Sequence, residues 1–394
     1  MAGDEAGRGR LASGFELQQD EVFDERGFLA RRGEIIALEA SARGLDAARK
    51  LGFRVIERGR LQVLGTSVVR LQTPANLSTL EALRLIRNSD PAGRYDHNHL
   101  YDGSAAPQLA QAPTNSRSRA PSQRRGTRPP QRAPAVAGPS VRLGIIDTSV
   151  DARHPEFQGR RLTTQNFGDR AQANAVSEHG TAVASLLIGR TLGALPDAEL
   201  LAANVFYSTP RGDHLAEAED LVQAIDWMMV KRVPVVNMSL TGPPNVVVEE
   251  AIRRAIARGH VIVAAVGNAG PAAPALFPAS YPGVIGVTAV DSERRVYRRA
   301  NRGDCVDFSA FGVDVEAAAA GGLAKFTGTS FAAPLVAAAV AAKQNTLSAA
   351  KENAATSAVE QLRSGVVDLG APGRDNTYGH GLVEGGVAKR VAGR

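Results

Sequence analysis

Gly328-Thr329-Ser330-Phe331-Ala332-Ala333-Pro334-Leu335 carries one serine from a glycine turn into an alanine-rich run. Alanine-rich sequence favours helix, and Pro334 falls in the first turn, where its missing N–H costs little. A serine at a helix start meets unpaired backbone N–H groups and the positive end of the helix dipole, both able to stabilise a developing oxyanion. Taken alone, the segment reads more simply as a Ser/Thr helix cap. Two other stretches change that balance. Val141-Arg142-Leu143-Gly144-Ile145-Ile146-Asp147 is a short apolar β-run ending in a carboxylate, with the turn formers Thr148 and Ser149 behind it. In open α/β sheets ligands gather at the carboxyl ends of strands. His179-Gly180-Thr181-Ala182-Val183-Ala184-Ser185-Leu186-Leu187 opens a second small-residue helix with an imidazole. Asp147, His179 and Ser330 together supply a hydroxyl, a base to take its proton, and an anion to fix the base's tautomer and stabilise its charged form.

These residues resemble the motifs of the subtilases, the subtilisin-like serine proteases. The matching segments are Asp147-Thr148-Ser149-Val150-Asp151 with His154-Pro155-Glu156-Phe157, then His179-Gly180-Thr181, then Gly328 to Pro334. The chain order Asp, His, Ser is that of subtilisin itself. The resemblance implies a serine endopeptidase in which Ser330 is the nucleophile, His179 the general base and Asp147 its orienting anion. It also implies that Asn268, after the strand-like Val261-Ile262-Val263-Ala264-Ala265-Val266-Gly267, binds the oxyanion with the Ser330 N–H. Ser239, Leu240, Thr241 and Gly242, with Gly267 beside Asn268, are expected to border an extended polypeptide substrate, which main-chain pairing binds with little side-chain demand. Five positions depart from the family's habit: Ser149 and Thr241 stand where glycine is frequent, Phe311 where proline is, and Ala333 and Leu335 differ where Ala333-Pro334-Leu335 replaces Ser-Pro-His. None is a triad member.

Strands are expected over 141–147, 200–206, 233–239, 261–265 and 284–289, alternating with helices over 180–189, 215–231, 246–258 and 330–343. That alternation predicts an α/β unit over 141–394, a parallel sheet with helices on both faces. Upstream, strands over 34–39, 53–57, 67–71 and 93–101 and helices over 42–51 and 78–86 give the order βαββαβ, that of a small α+β ferredoxin-like domain over 33–102. Subtilases commonly carry a propeptide of this fold, which assists folding and occupies the active site through its C-terminal segment. Here that segment would be Tyr95 to Asp102, making the N-terminal domain an intramolecular inhibitor and chaperone. Residues 1–32 read as a polar tail. The 103–140 stretch, rich in Pro, Ser, Ala, Gln and Arg, reads as a disordered linker exposed to self-cleavage.

The 394 residues, 44% of them hydrophobic, suffice for a sizeable core beside a second unit. The formal net charge of +6 lies entirely in the linker, in Arg117, Arg119, Arg124, Arg125, Arg128 and Arg132. A nucleic-acid role would want basic residues on a folded face or among aromatics, so none is assigned. The single Cys305 excludes a disulfide framework, and with no adjacent imidazole it is read as packing rather than chemistry. His97 and His99 alternate on one strand face expected to be exposed, and no metal or other cofactor is assigned; relatives often bind structural calcium, but no dense carboxylate loop compels it. An esterase of the Gly-x-Ser-x-Gly type would place Ser before His, which this chain does not. No membrane span or signal-peptide core is visible. The expected protein is a monomer, secreted or periplasmic if an export signal has been trimmed.

Overall fold

The structure, a computed structural model, describes residues 17–103, 141–168, 178–209, 212–347 and 354–384. The N-terminal unit runs β1 (Glu21–Phe23), β2 (Leu29–Leu38), α1 (Ala42–Lys50), β3 (Arg54–Leu61), β4 (Thr66–Gln72), α2 (Thr79–Ser89) and β5 (Arg94–Asp102). Its helices start where the sequence supplies caps. Ser41 accepts from Gly44 N, and Ser78 and Glu81 form a reciprocal capping box. The strands pair antiparallel in the order β3-β4-β2-β5, as a ferredoxin-like topology requires, with β1 added on β2.

The second unit runs β6 (Arg142–Asp147), β7 (Arg161–Asn166), α3 (Glu178–Ile188), β8 (Glu199–Asn204), β9 (Phe206–Ser208), β10 (His214–Glu217), α4 (Ala218–Val230), β11 (Val235–Met238) and α5 (Val246–Ala257). It continues through β12 (Val261–Ala265), β13 (Ile285–Val290), β14 (Phe308–Phe311), β15 (Val315–Ala319), β16 (Gly322–Phe326), α6 (Thr329–Leu347) and α7 (Ala354–Arg363). Seven strands make a parallel sheet in the order β14-β13-β12-β11-β6-β8-β7. Its apolar runs are continuous because both faces are covered. Side chains alternate by twos: Leu143, Ile145, Val235, Val263 and Leu200 pack with α3 and α6, whereas Ile146, Val236, Ile262 and Leu201 pack with α4 and α5.

The N-terminal sheet is likewise two-sided. Ile35, Ala37, Val69 and Leu71 face α1 and α2. Ile36, Leu38, Leu61, Val68 and Tyr101 instead join the cluster that holds α4 and α5. The β3–β4 turn is held from across this boundary by Asp226, whose carboxylate accepts from the backbone N–H of Gln62, Val63 and Leu64 at 2.7–2.9 Å.

Three expectations need correction. The helix expected over 215–231 begins only at Ala218, because His214–Glu217 forms a strand antiparallel to β5, with Leu215 opposite Asp102 and Ala216 opposite Tyr101. The polar tail expected over 1–32 contributes β1 and the start of β2, and Arg31 is buried; its first 16 residues lie outside the described ones. His97 and His99, expected on an exposed face, are 2% and 0% exposed. Asn245, the N-cap of α5, donates to the His97 carbonyl and to His99 Nδ1, while Asp24 lies 3.2 Å from His99 Nε2. Of the linker expected over 103–140, residues 104–140 lie outside the described ones.

Candidate active site

Asp147 ends β6, a central strand of the parallel sheet, and is wholly buried. Its Oδ1 accepts from Thr148 N at 2.7 Å and lies 2.7 Å from His179 Nδ1. His179 is in the first turn of α3. The residue after it explains how α3 approaches the strand end so closely. Gly180 N donates to Thr148 Oγ1 at 2.8 Å, and a Cβ at Gly180 would stand 2.3 Å from the Thr148 carbonyl oxygen. Thr181 Oγ1 then accepts from Asp151 N at 2.9 Å. Each residue of His179-Gly180-Thr181 therefore tightens the docking of helix onto strand end.

Ser330 lies in the first turn of α6, 3% exposed. The ring of its neighbour Phe331 packs on the His179 ring, centroids 5.3 Å apart, so the α6 and α3 starts face one another. Asn268, just past β12, accepts through Oδ1 from Thr329 N at 3.0 Å and Thr329 Oγ1 at 3.1 Å. The Asn268 carbonyl is thereby fixed to both the main chain and the side chain of the residue that precedes Ser330. Gly267, at φ +108°, turns the chain here, and its N–H donates to Thr329 Oγ1 at 3.2 Å. Burial opposes charging of His179, yet the Asp147 carboxylate, by charge and hydrogen bond, and Asp102 by charge outweigh it, and the imidazole pKa is raised above its ordinary 6.5.

The residues expected at the substrate strand divide by role. Ser239 is buried, accepts from Asn237 Nδ2 at 2.8 Å and donates to the Ser330 carbonyl at 2.9 Å, so its side chain braces the start of α6. Leu240 is buried in the cluster that includes Tyr101. Thr241 exchanges two backbone hydrogen bonds with Asp102, at 2.8 and 3.0 Å. Gly242 lies under the Tyr101 ring, where a Cβ would approach to 2.4 Å, and Tyr101 OH donates to the Pro243 carbonyl at 3.0 Å. The end of β5 is thus an extended polypeptide held between β10 and Thr241. Sequence reasoning missed β10, the strand that flanks β5 on its other side. Its pairing with β5, more than a hundred residues earlier in the chain, is one that no local pattern encodes.

Among the described residues, no group of three or more His, Cys, Asp or Glu is placed to hold a metal ion, and no helix is long and apolar enough to cross a membrane. Residues 138–381 match the model of the subtilase family. The minor extracellular protease Epr of Bacillus subtilis (strain 168) is 33% identical over 63% of this chain and 38% of its own length. The intracellular serine protease of Paenibacillus polymyxa is 31% identical over 53% of this chain and 69% of its own. The prenylagaramide maturation protease PagA superposes with a TM-score of 0.54 at 25% identity, over 64% of this chain and 94% of that one. Fervidolysin from Fervidobacterium pennivorans, at 20% identity, shares the fold over 96% of this chain and 62% of its own, with a TM-score of 0.70. With an Asp-His pair at a parallel-sheet strand end, a serine opening the facing helix and a family match across that whole unit, the chain belongs to the subtilase family.

Proposed function

We propose that this chain is a serine endopeptidase made as a precursor whose N-terminal unit occupies its own substrate cleft. The observation that carries the reading is the 2.7 Å bond between Asp147 and His179 at the mouth of the cleft where β5 lies. Ser330 Oγ attacks the scissile carbonyl of a polypeptide substrate, and His179 takes the hydroxyl proton and returns it to the leaving amine. Asp147 holds the imidazole with Nδ1 protonated and stabilises the imidazolium. Asn268 and the Ser330 N–H receive the oxyanion, donors fixed in advance by the Thr329 contacts. The antiparallel pairing of β5 with β10 and of Asp102 with Thr241 supports a product-like placement of the N-terminal unit, with the first cut within a few residues beyond Gly103. The four residues of Asp147, His179, Asn268 and Ser330 are all present, which disfavours a catalytically silent peptide-binding relative.

A fluorophosphonate probe tests the reading directly: the self-processed protein should carry one covalent adduct, located at Ser330 by peptide mapping. An unlabelled Ser330 in folded protein would sink it. The pH dependence follows from the charge of His179. The base must be neutral to accept a proton, and its pKa is raised, so kcat/KM should fall on acidification through a midpoint above the ordinary imidazole value of about 6.5. Part of that elevation comes from Asp102, and it is lost once the N-terminal unit departs. Departure of the same unit also relieves burial, the largest influence and one that lowers the pKa, and a titration of precursor and processed enzyme followed by NMR weighs the two.

A further inference from the structure

Between the two units lies a cavity of about 360 Å³, walled by Glu57 and Arg70 of the N-terminal sheet and by Phe167, Tyr207, Glu217 and Asp220 of the catalytic unit. Among the described residues its charges lean acidic. Arg70 is in contact with four carboxylates, at 2.5 Å to Glu57, 3.2 Å to Glu219, 3.5 Å to Glu217 and 3.8 Å to Glu34. Arg31 supplies a second cation, bonded to Glu217 at 2.8 Å, but is shared with Asp20. Asp220 is only 8% exposed and lines the cavity, and its side chain makes no hydrogen bond or ion pair among the described residues. Glu219 Oε1 behind it is also buried without a hydrogen-bond partner there. A buried surplus of carboxylates is costly and calls for protons or for another cation.

The shape of the acceptor set selects the cation. No three of these carboxylates converge on one point as a metal ion needs. They are spread, as around Arg70, whose one planar group spans several carboxylates. The aromatic wall fits the same chemistry, since the Arg31 guanidinium already lies 4.8 Å from the centre of the Tyr207 ring. We propose that this cavity binds a guanidinium cation, with Asp220 as its principal counter-anion and Glu57 and Glu217 as flanking acceptors. Burial holds Glu219 protonated, with its pKa at about 8, and pushes Asp220 well above the ordinary carboxylate value. The arriving cation therefore takes the place of a carboxyl proton, which leaves to solvent. Affinity should accordingly rise with pH as Glu219, at about 8, and Asp220 ionise beside Glu34, Glu57, Glu217, Arg31 and Arg70.

The test uses full-length Ser330→Ala protein, uncut, in titration calorimetry with agmatine, with the Gly-Arg-Gly tripeptide amide and with uncharged N-butylurea. Agmatine binding alone assigns a free small guanidinium; tripeptide binding assigns an arginine side chain of another polypeptide. In either case a second substitution, Asp220→Asn, should weaken binding at least tenfold, and the heat should vary with buffer ionisation enthalpy as a proton is released. Because Asp220→Asn removes an unpaired buried carboxylate, it should also raise the Tm of the unliganded chain. Should that variant not fold, Glu57→Gln carries the comparison. Binding of neither cation, equal binding of N-butylurea, or affinity indifferent to both substitutions overturns the proposal. The catalytic serine plays no part in these measurements, so their outcome is independent of the proteolytic reading.

Discussion

Ser330→Ala should yield a folded, full-length chain that is never cut and cleaves no peptide substrate. The fold should survive because the bond that anchors this position, from Ser239 Oγ, goes to the Ser330 main-chain carbonyl and not to its side chain. Losing the nucleophile leaves only the oxyanion donors and binding to act on the substrate; in subtilisin itself the corresponding loss is about 2 × 10⁶ in kcat, which sets the scale. The measurement is gel analysis and N-terminal sequencing after incubation. Wild type should show a new N-terminus within a few residues beyond Gly103, and the variant none. A variant that processes itself at the normal rate would take Ser330 out of the mechanism.

Asp147→Asn should cost about 10⁴ in kcat at neutral pH with little change in KM, the size expected when the orienting carboxylate of such a triad becomes an amide. Asp147 is fully buried and anchored by Thr148 N, so an isosteric amide can occupy its place. It can present N–H donors to His179 Nδ1, favouring the tautomer whose Nε2 is protonated and useless as a base. It also removes the first of the influences that raise the His179 pKa, so the acid limb of the remaining activity should move to lower pH. A pH–rate profile on the variant separates this positioning role from general destabilisation, which would lower activity without moving the limb. Activity within tenfold of wild type would mean that the buried pair does not serve the reaction.

The parallel sheet could be read from the chain because its strands are continuous apolar runs, buried on both faces and flanked by helix-forming segments. The Asp147, His179 and Ser330 segments were legible for a different reason: each is a local device, a strand end or a helix start, that keeps its small neighbours close in sequence. What escaped reading depends on contacts distant in sequence. Leu215-Ala216-Glu217 has good helix formers and extends a helical pattern, yet pairing with Leu100, Tyr101 and Asp102 holds it as a strand. Arg31 looks like solvent-facing charge until Glu217, 186 residues away, is placed 2.8 Å from it. His97 and His99 sit in a polar run, Asp96-His97-Asn98-His99, that resembles an exposed strand face; it is buried because the other unit brings its own polar groups, Asn245 and Glu217, to meet it.

The contiguous run Ile35-Ile36-Ala37-Leu38 has a consequence for timing. Because alternate members of it lean on different partners, severing the connection after Gly103 removes a tether but none of the adhesion. Under the proposed reading, cutting and liberation would be separate events, with a silent interval between them set by how slowly the first piece lets go. Once detached, that piece would have Ile36, Leu38 and Val68 in water and only one small core to hold it. Under the proposed reading it would become a substrate of the enzyme it restrained, so the passage to activity would run one way, and each molecule set free would shorten the wait of the rest.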